Sequence, residues 1–200
     1  MTKQISDWKH ILLDTSVVID YLMTPERISN NENAKKRVEK THLLFDYFHS
    51  TVNDIKRTLY ISAITLSELR KLSIDKTILE TLVSLFNCSD IVFVDFTKEM
   101  AMQIHTHLDL LDKDPNLNSL VKNLSNELNK EGVYQASGWV ADDLKIVATG
   151  KFFKGKIDVV ITGDGKTFVP LAQRFEIPVV NTFKLPVTIF NQLEVNTAFN

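Results

Sequence analysis

Four acidic residues stand where a chain of alternating strands and helices would gather carboxylates at one sheet edge. Asp14 ends the apolar run of ILLDTSVVID, and Glu68 lies in ISAITLSELRKL. Asp143 lies in SGWVADDLKIVATG, and Asp164 follows the apolar run of VVITGDGKTF. Carboxylates drawn together repel, by roughly 4 kcal/mol per pair at 4 Å and an effective dielectric near 20. Protonation offsets that repulsion, and so does a hard cation. A donor set of oxygens, without histidine or thiolate, favours Mg²⁺ or Mn²⁺. Such an ion lowers the pKa of bound water and neutralises charge on a phosphate under attack.

Each acid also has a local explanation, which the residues alone leave open. Asp14 suits the N-cap of a helix SVVIDYLM. Thr65 and Glu68 have capping-box spacing. Asp164 sits between Gly163 and Gly165, in turn-forming company. Asp95, in IVFVDFTKEM, reads as a helix-start acid with Thr97 nearby. Asp142 and Asp143 separate on a helical wheel. Val140, Leu144, Val147 and Ala148 make an apolar stripe with Asp143 at its edge, whereas Asp142 points with Lys145 and Thr149 towards water. An unpaired carboxylate beside a core is costly, so Asp143 is the better site candidate and Asp142 a supporting one.

The elements that must position these residues are short. Ile11–Leu13, TLYISAI (58–64), IVFVDF (91–96), DVVIT (158–162) and PVVNT (178–182) read as buried strands separated by helical patterns. That alternation predicts an α/β fold with a central parallel sheet of about five strands and helices on both faces. In such a sheet, ligands bind beyond the carboxyl ends of the strands. Asp158, at the start of its strand, falls at the opposite edge. Two helical additions exceed the minimal unit. One is near 24–57, with Leu43, Leu44, Tyr47 and Phe48 on or near one face. The other is near 109–136, where Asp114–Pro115 opens a helix and Leu117, Leu120, Leu124 and Leu128 make a narrow seam. That seam suits a helix laid on the domain, or a dimer or partner surface. Without a linker, repeat or low-complexity tract, residues 1–200 read as a single domain.

Composition bounds the chemistry. The net charge of −2 supplies no general basic field for nucleic acid, so any polyanion must be met by a local patch, a cation or a partner. One cysteine, Cys88, makes no internal disulfide and fits a reducing cytoplasm. The N-terminal MTKQISDWKH has no apolar signal core, and no apolar run approaches the ~18 residues of a membrane span. His105 and His107 face different ways on a helix and read as surface residues. Lys166, Arg70, Lys71 and the basic, aromatic FFKGK (152–156) are candidate phosphate contacts, though each suits a solvated surface better.

The ordered set LLDTSVVID, ISAITLSELRKL, DDLKIVATG and VITGDGKTF resembles the motifs of the PIN-domain nucleases, including the VapC-like toxins. The family's D-x-x-I-x-A spacing falls on Asp143, Ile146 and Ala148. Both helical additions lie between motifs, and the chain is longer than the compact toxins. The resemblance implies a PIN-like three-layer α/β/α fold. It further implies a metal-dependent endoribonuclease, hydrolysing RNA phosphodiesters with Mg²⁺ or Mn²⁺ at Asp14, Glu68, Asp143 and Asp164. Thr15, Ser16 and Thr162 would support them by hydrogen bonds. It brings with it a toxin role with an antitoxin or other protein partner, and a homodimer. Two alternatives stand beside it. An inactive PIN scaffold binding RNA or protein would be expected to have lost part of the acidic set. The GDG after a strand is also similar to haloacid-dehalogenase-like phosphatases, but these need a second aspartate where this chain has Ser16. Glycine-rich nucleotide-binding fingerprints are missing.

Overall fold

The computed structural model describes residues 4–28, 31–51, 54–69, 91–102 and 115–185. Cys88, Arg70, Lys71, His105, His107, Asp114 and the side chain of Leu117 lie outside the described residues.

Five parallel strands form one sheet in the order β3-β2-β1-β4-β5. They are β1 (His10–Leu13), β2 (Thr58–Ser62), β3 (Ile91–Val94), β4 (Val159–Thr162) and β5 (Val179–Asn181). These are the five apolar runs expected from the sequence. In register, Leu13 lies beside Ile61 on one side and Ile161 on the other. Successive strand residues face opposite layers. Ile11, Leu13, Val159 and Ile161 enter one core with α1 (Thr15–Leu22) and α2 (Glu32–Ser50). Leu12 and Val160 enter the other, with α5 (Ala136–Phe152) and α6 (Phe168–Arg174). The three-layer α/β/α architecture follows directly.

Both additions dock on the domain. The first contains α2, whose buried face is Val38, Thr41, Leu44, Phe45 and Phe48. Leu43 lies off that face, 40% exposed, because the turn places 41, 44, 45 and 48 inward. The second contains α4 (Pro115–Lys130). Its Leu120, Leu124 and Leu128 pack against the α5–α6 core. Thr149 departs from expectation. It is buried rather than facing water, donating to the Lys145 carbonyl at 3.0 Å and touching Met100 Sδ, from helical residues 98–102, at 3.9 Å. In that helical segment Thr97 Oγ1, not Asp95, accepts the first-turn amide of Met100.

Asp158 lies at the expected opposite edge, where it clamps the entry to β1. Its Oδ2 accepts the amides of Lys9 and His10 at 2.8 and 2.9 Å. Asp158→Ala leaves those donors without their carboxylate and is expected to cost about 1–3 kcal/mol. Urea denaturation measures this. Any activity that depends on the far edge should survive in the folded fraction.

Candidate functional site

β1 and β4 are neighbours, yet the chain leaves them for opposite faces, to α1 and to α6. Such a switch point opens a crevice beyond the carboxyl ends of the two strands. Asp14 and Asp164 stand on its two lips. Asp14 occupies the N-cap position of α1, but its side chain makes no capping bond to the helix. Its Oδ2 instead accepts from Ser16 Oγ at 2.5 Å and Thr162 Oγ1 at 2.8 Å. Those hydroxyls are themselves placed by the β4–α6 turn. Ser16 Oγ accepts the Gly163 amide at 2.8 Å, and Thr162 Oγ1 accepts the Asp164 amide at 2.9 Å. Ser16 and Thr162 therefore stitch the end of β1 to the turn carrying Asp164.

Glu68 enters from α3 (Ala63–Leu69), which touches both α1 and α5. The helix starts at Ala63, directly after β2, with the Ile64 amide donating to Ser62 Oγ. Thr65 and Glu68 are thus inside it, and the capping-box reading of that pair does not hold. Buried Thr65 is 3.1 Å from Thr15 Oγ1. Thr15 Oγ1 also donates to Glu68 Oε2.

Asp143 and Asp164 meet on one hydroxyl. Thr167 Oγ1 is 2.6 Å from Asp143 Oδ2 and also bonds Asp164 Oδ2. One hydroxyl carries one proton. When Thr167 donates to Asp164, its contact with Asp143 needs a proton on the Asp143 carboxyl. The electrostatics agree. Burial, then the charges of Asp14, Asp164 and Glu68, raise Asp143 to about 8, against a lowering by Thr167. Asp14 is raised to about 6, chiefly by burial. The hydroxyls of Ser16 and Thr162 and the Thr15 amide pull it down, while Asp164 pushes it up. Two coupled carboxyls titrate as a pair.

Asp142 forms an ion pair with Lys145 at 2.6 Å. Lys166 reaches Glu131 at 2.7 Å. FFKGK follows the end of α5 and precedes β4, so it lies at the edge opposite the acids, where Lys154 pairs with Glu176 at 3.5 Å. That position takes it away from any substrate held at this site.

Thr167 and Thr65 are site residues that sequence reasoning missed. The signal for Thr167 was the D-x-x-T spacing from Asp164. Asp164 Oδ1 accepts the amides of Lys166 and Thr167 at 2.7 and 3.0 Å, and this turn aims the Thr167 hydroxyl.

An oxygen-only set of desolvated, mutually repelling carboxyls suits a hard divalent cation. Asp14, Asp143 and Asp164 form no ion pair with a described lysine or arginine; Lys166 feels the charge of Asp164 but is paired with Glu131. Among the described residues, no three acidic, histidine or cysteine side chains are gathered closely enough to hold one ion as they stand. The Thr167 hydroxyl sits between two of the candidates. A shared ion would therefore need Asp143 or Asp164 to turn off that hydroxyl.

Thr162→Val removes a fully buried donor to Asp14 and the acceptor of the Asp164 amide. It is expected to cost about 1–3 kcal/mol and to raise the Asp14 pKa further. Chemical denaturation and a carboxyl titration by NMR read the two effects separately.

No family model matches the chain, and no curated protein matches its sequence. Among solved structures the chain is similar to VapBC2 from Rickettsia felis, bound to a DNA fragment from its promoter. The identity is 14%, over 86% of this chain and 98% of that one, with a TM-score of 0.45.

Proposed function

We propose that the chain is a PIN-type metal-dependent nuclease that hydrolyses RNA phosphodiesters at the β1–β4 crevice. The observation that carries this reading is the convergence of Asp14, Asp143 and Asp164, with Glu68 near enough to raise Asp143. Asp14 and Asp143, both raised by burial and by acidic neighbours, have the perturbed pKa values that functional sites share.

Mg²⁺ or Mn²⁺ bound there would activate water and neutralise the phosphate. Asp14 is the fixed donor, its Oδ2 held by two hydroxyls and its backbone by the strand. Asp143 is the adjustable one. Raised to about 8, it favours its protonated form, and a cation held there would favour the ionised carboxylate instead, with release of a proton. Thr167 holds Asp143 and Asp164 together, and a shared ion would take one of them off its hydroxyl. Glu68, steered by Thr15 Oγ1, orients the attacking water. Hydrolysis in this manner leaves a 5′-phosphate and a 3′-hydroxyl.

The test is cleavage of mixed single-stranded and structured RNAs with Mg²⁺ or Mn²⁺, comparing the wild type with Asp14→Asn and Asp143→Asn. Metal-dependent cutting lost in both variants supports the shared site. Absence of cutting, with no metal-induced rise in melting temperature, favours the inactive scaffold. Equal cutting by all three proteins rejects the ligand assignment. Growth arrest on induction of wild type but not Asp143→Asn would extend the proposal to a toxin with a protein partner.

A further inference from the structure

We propose that Arg37 anchors a backbone phosphate of the substrate at the rim of the carboxylate crevice, an inference that rests on the nuclease reading. α1 presents Ser16 and, one turn later, Asp20 on the same face. Ser16 accepts the Gly163 amide, so this face looks at the turn that carries Asp164. Asp20 is only 1% exposed. It is held by a two-pronged pair from α2, with Arg37 Nε donating to Oδ2 at 2.6 Å and Nη2 donating to Oδ1 at 2.9 Å.

The pair lies directly on Gly163. A Cβ placed there would stand 3.0 Å from both Arg37 Cδ and Asp20 Oδ2. Gly163 is the residue between Thr162 and Asp164, so the guanidinium emerges beside the site itself. Only one of its edges is used. The Arg37 side chain is 36% exposed, and Nη1 makes no hydrogen bond among the described residues. A planar fork pinned along one edge offers the other to a phosphate with little conformational freedom left to lose.

The need for such a group comes from the site's own charge. A crevice of carboxyls in a chain of net charge −2 repels a polyanion, and a bound cation acts only at the scissile phosphate. A neighbouring phosphate needs a fixed positive group. Lys166 is 72% exposed and committed to Glu131, and Lys145 is 37% exposed and committed to Asp142. Arg37 differs in that a buried carboxylate fixes its position, so it meets a phosphate at a defined distance from the acids.

The experiment measures binding of a fluorescent single-stranded RNA by anisotropy, in Mg²⁺, to the full chain carrying Asp143→Asn so that nothing is cut. Into it are placed Arg37→Lys and, separately, the paired change Asp20→Asn with Arg37→Gln, which keeps a neutral hydrogen-bonded couple in the buried position. The paired change removes one cationic anchor for the RNA backbone and should weaken binding roughly tenfold. It should also flatten the plot of log affinity against log salt by about 0.7. Arg37→Lys, which keeps charge but loses the fork, should weaken binding about threefold at unchanged slope. In the otherwise wild-type chain, the paired change should raise KM with little change in kcat. Unaltered affinity and slope in Arg37→Lys and in the folded paired variant would reduce Arg37 to a strut between α1 and α2. If the paired variant fails to fold, Arg37→Lys alone decides by its affinity. A wild type that neither cuts nor binds RNA overturns the nuclease reading, which differs from one that cuts with no dependence on Arg37.

Discussion

Asp143→Asn is expected to remove metal-dependent RNA cleavage by at least about a thousandfold, some 4 kcal/mol of barrier, while making the metal-free protein more stable. The two effects have one cause. Asp143 is pushed up to about 8 by burial and by its acidic neighbours. Asparagine cannot take the charge that its surroundings oppose, yet its amide can still donate to Thr167 Oγ1 as the protonated carboxyl does. Losing the charge also loses the donor that a cation needs. A thermal melt therefore gives a signature that a merely damaged fold cannot. The variant should melt above the wild type without metal and below it in saturating Mn²⁺. A variant that melts lower in both conditions would show that Asp143 is a structural residue.

The second large effect is on stability against pH. Asp143 and Asp14 are both raised, to about 8 and about 6, so the fold favours their protonated forms. Over the range between the unfolded carboxyl value and these folded values, the native state binds more protons than the unfolded one, and stability falls as pH rises. Their contribution is fully present below about pH 4 and is lost progressively up to about pH 8. The loss for the coupled pair is on the order of a few kcal/mol. The measurement is urea denaturation of the metal-free wild type from pH 4.5 to 8.5, with the Asp14→Asn, Asp143→Asn double variant as reference. The difference between the two should shrink or reverse as pH drops, because only the wild type carries the penalty. Mg²⁺ should flatten the wild-type curve, and its binding should release protons at pH values below the metal-free folded pKa values of about 6 and about 8. A pH-independent difference would mean that the two carboxyls are not coupled to the fold.

Much of the frame could be read in advance because its signals are local. A short apolar run bounded by polar residues identifies a strand, and each of the five runs contains one of the five strands, but burial held for β1 and β4 whereas the edge strands β3 and β5 are partly exposed. The position of Asp143 on the edge of an apolar stripe was legible for the same reason. What could not be read depends on contacts made at long range. Thr149 is on the wheel face that should meet water, but helical residues 98–102 cover it with Met100. The sequence places Leu43 on or near the inward face, but α2 packs on α1 with Thr41, Leu44, Phe45 and Phe48 inward, a contact the sequence does not show. Thr167 is a turn residue in sequence. Its importance exists only once α5 brings Asp143 beside the β4–α6 turn. The pairing of Asp20 with Arg37 likewise needs α2 to cross α1, which no periodicity predicts.

The interior position of β4, between β1 and β5, has a consequence for how the protein is made. β4 is 159–162 in the chain, yet it pairs with β1 at 10–13 and sits between that strand and β5. A ribosome delivering this chain leaves one edge of β1 bare until residues 159–162 emerge, well after β1 and β2. Pairings of such sequence separation form slowly, and an open strand edge invites association. The same order keeps Asp14 apart from Asp164 and from the hydroxyl of Thr162 until about four-fifths of the chain has been translated. On the proposed function, a cutting centre assembled in this order stays incomplete on any nascent or truncated chain that lacks β4 and Asp164, so the topology itself delays activity until they have emerged.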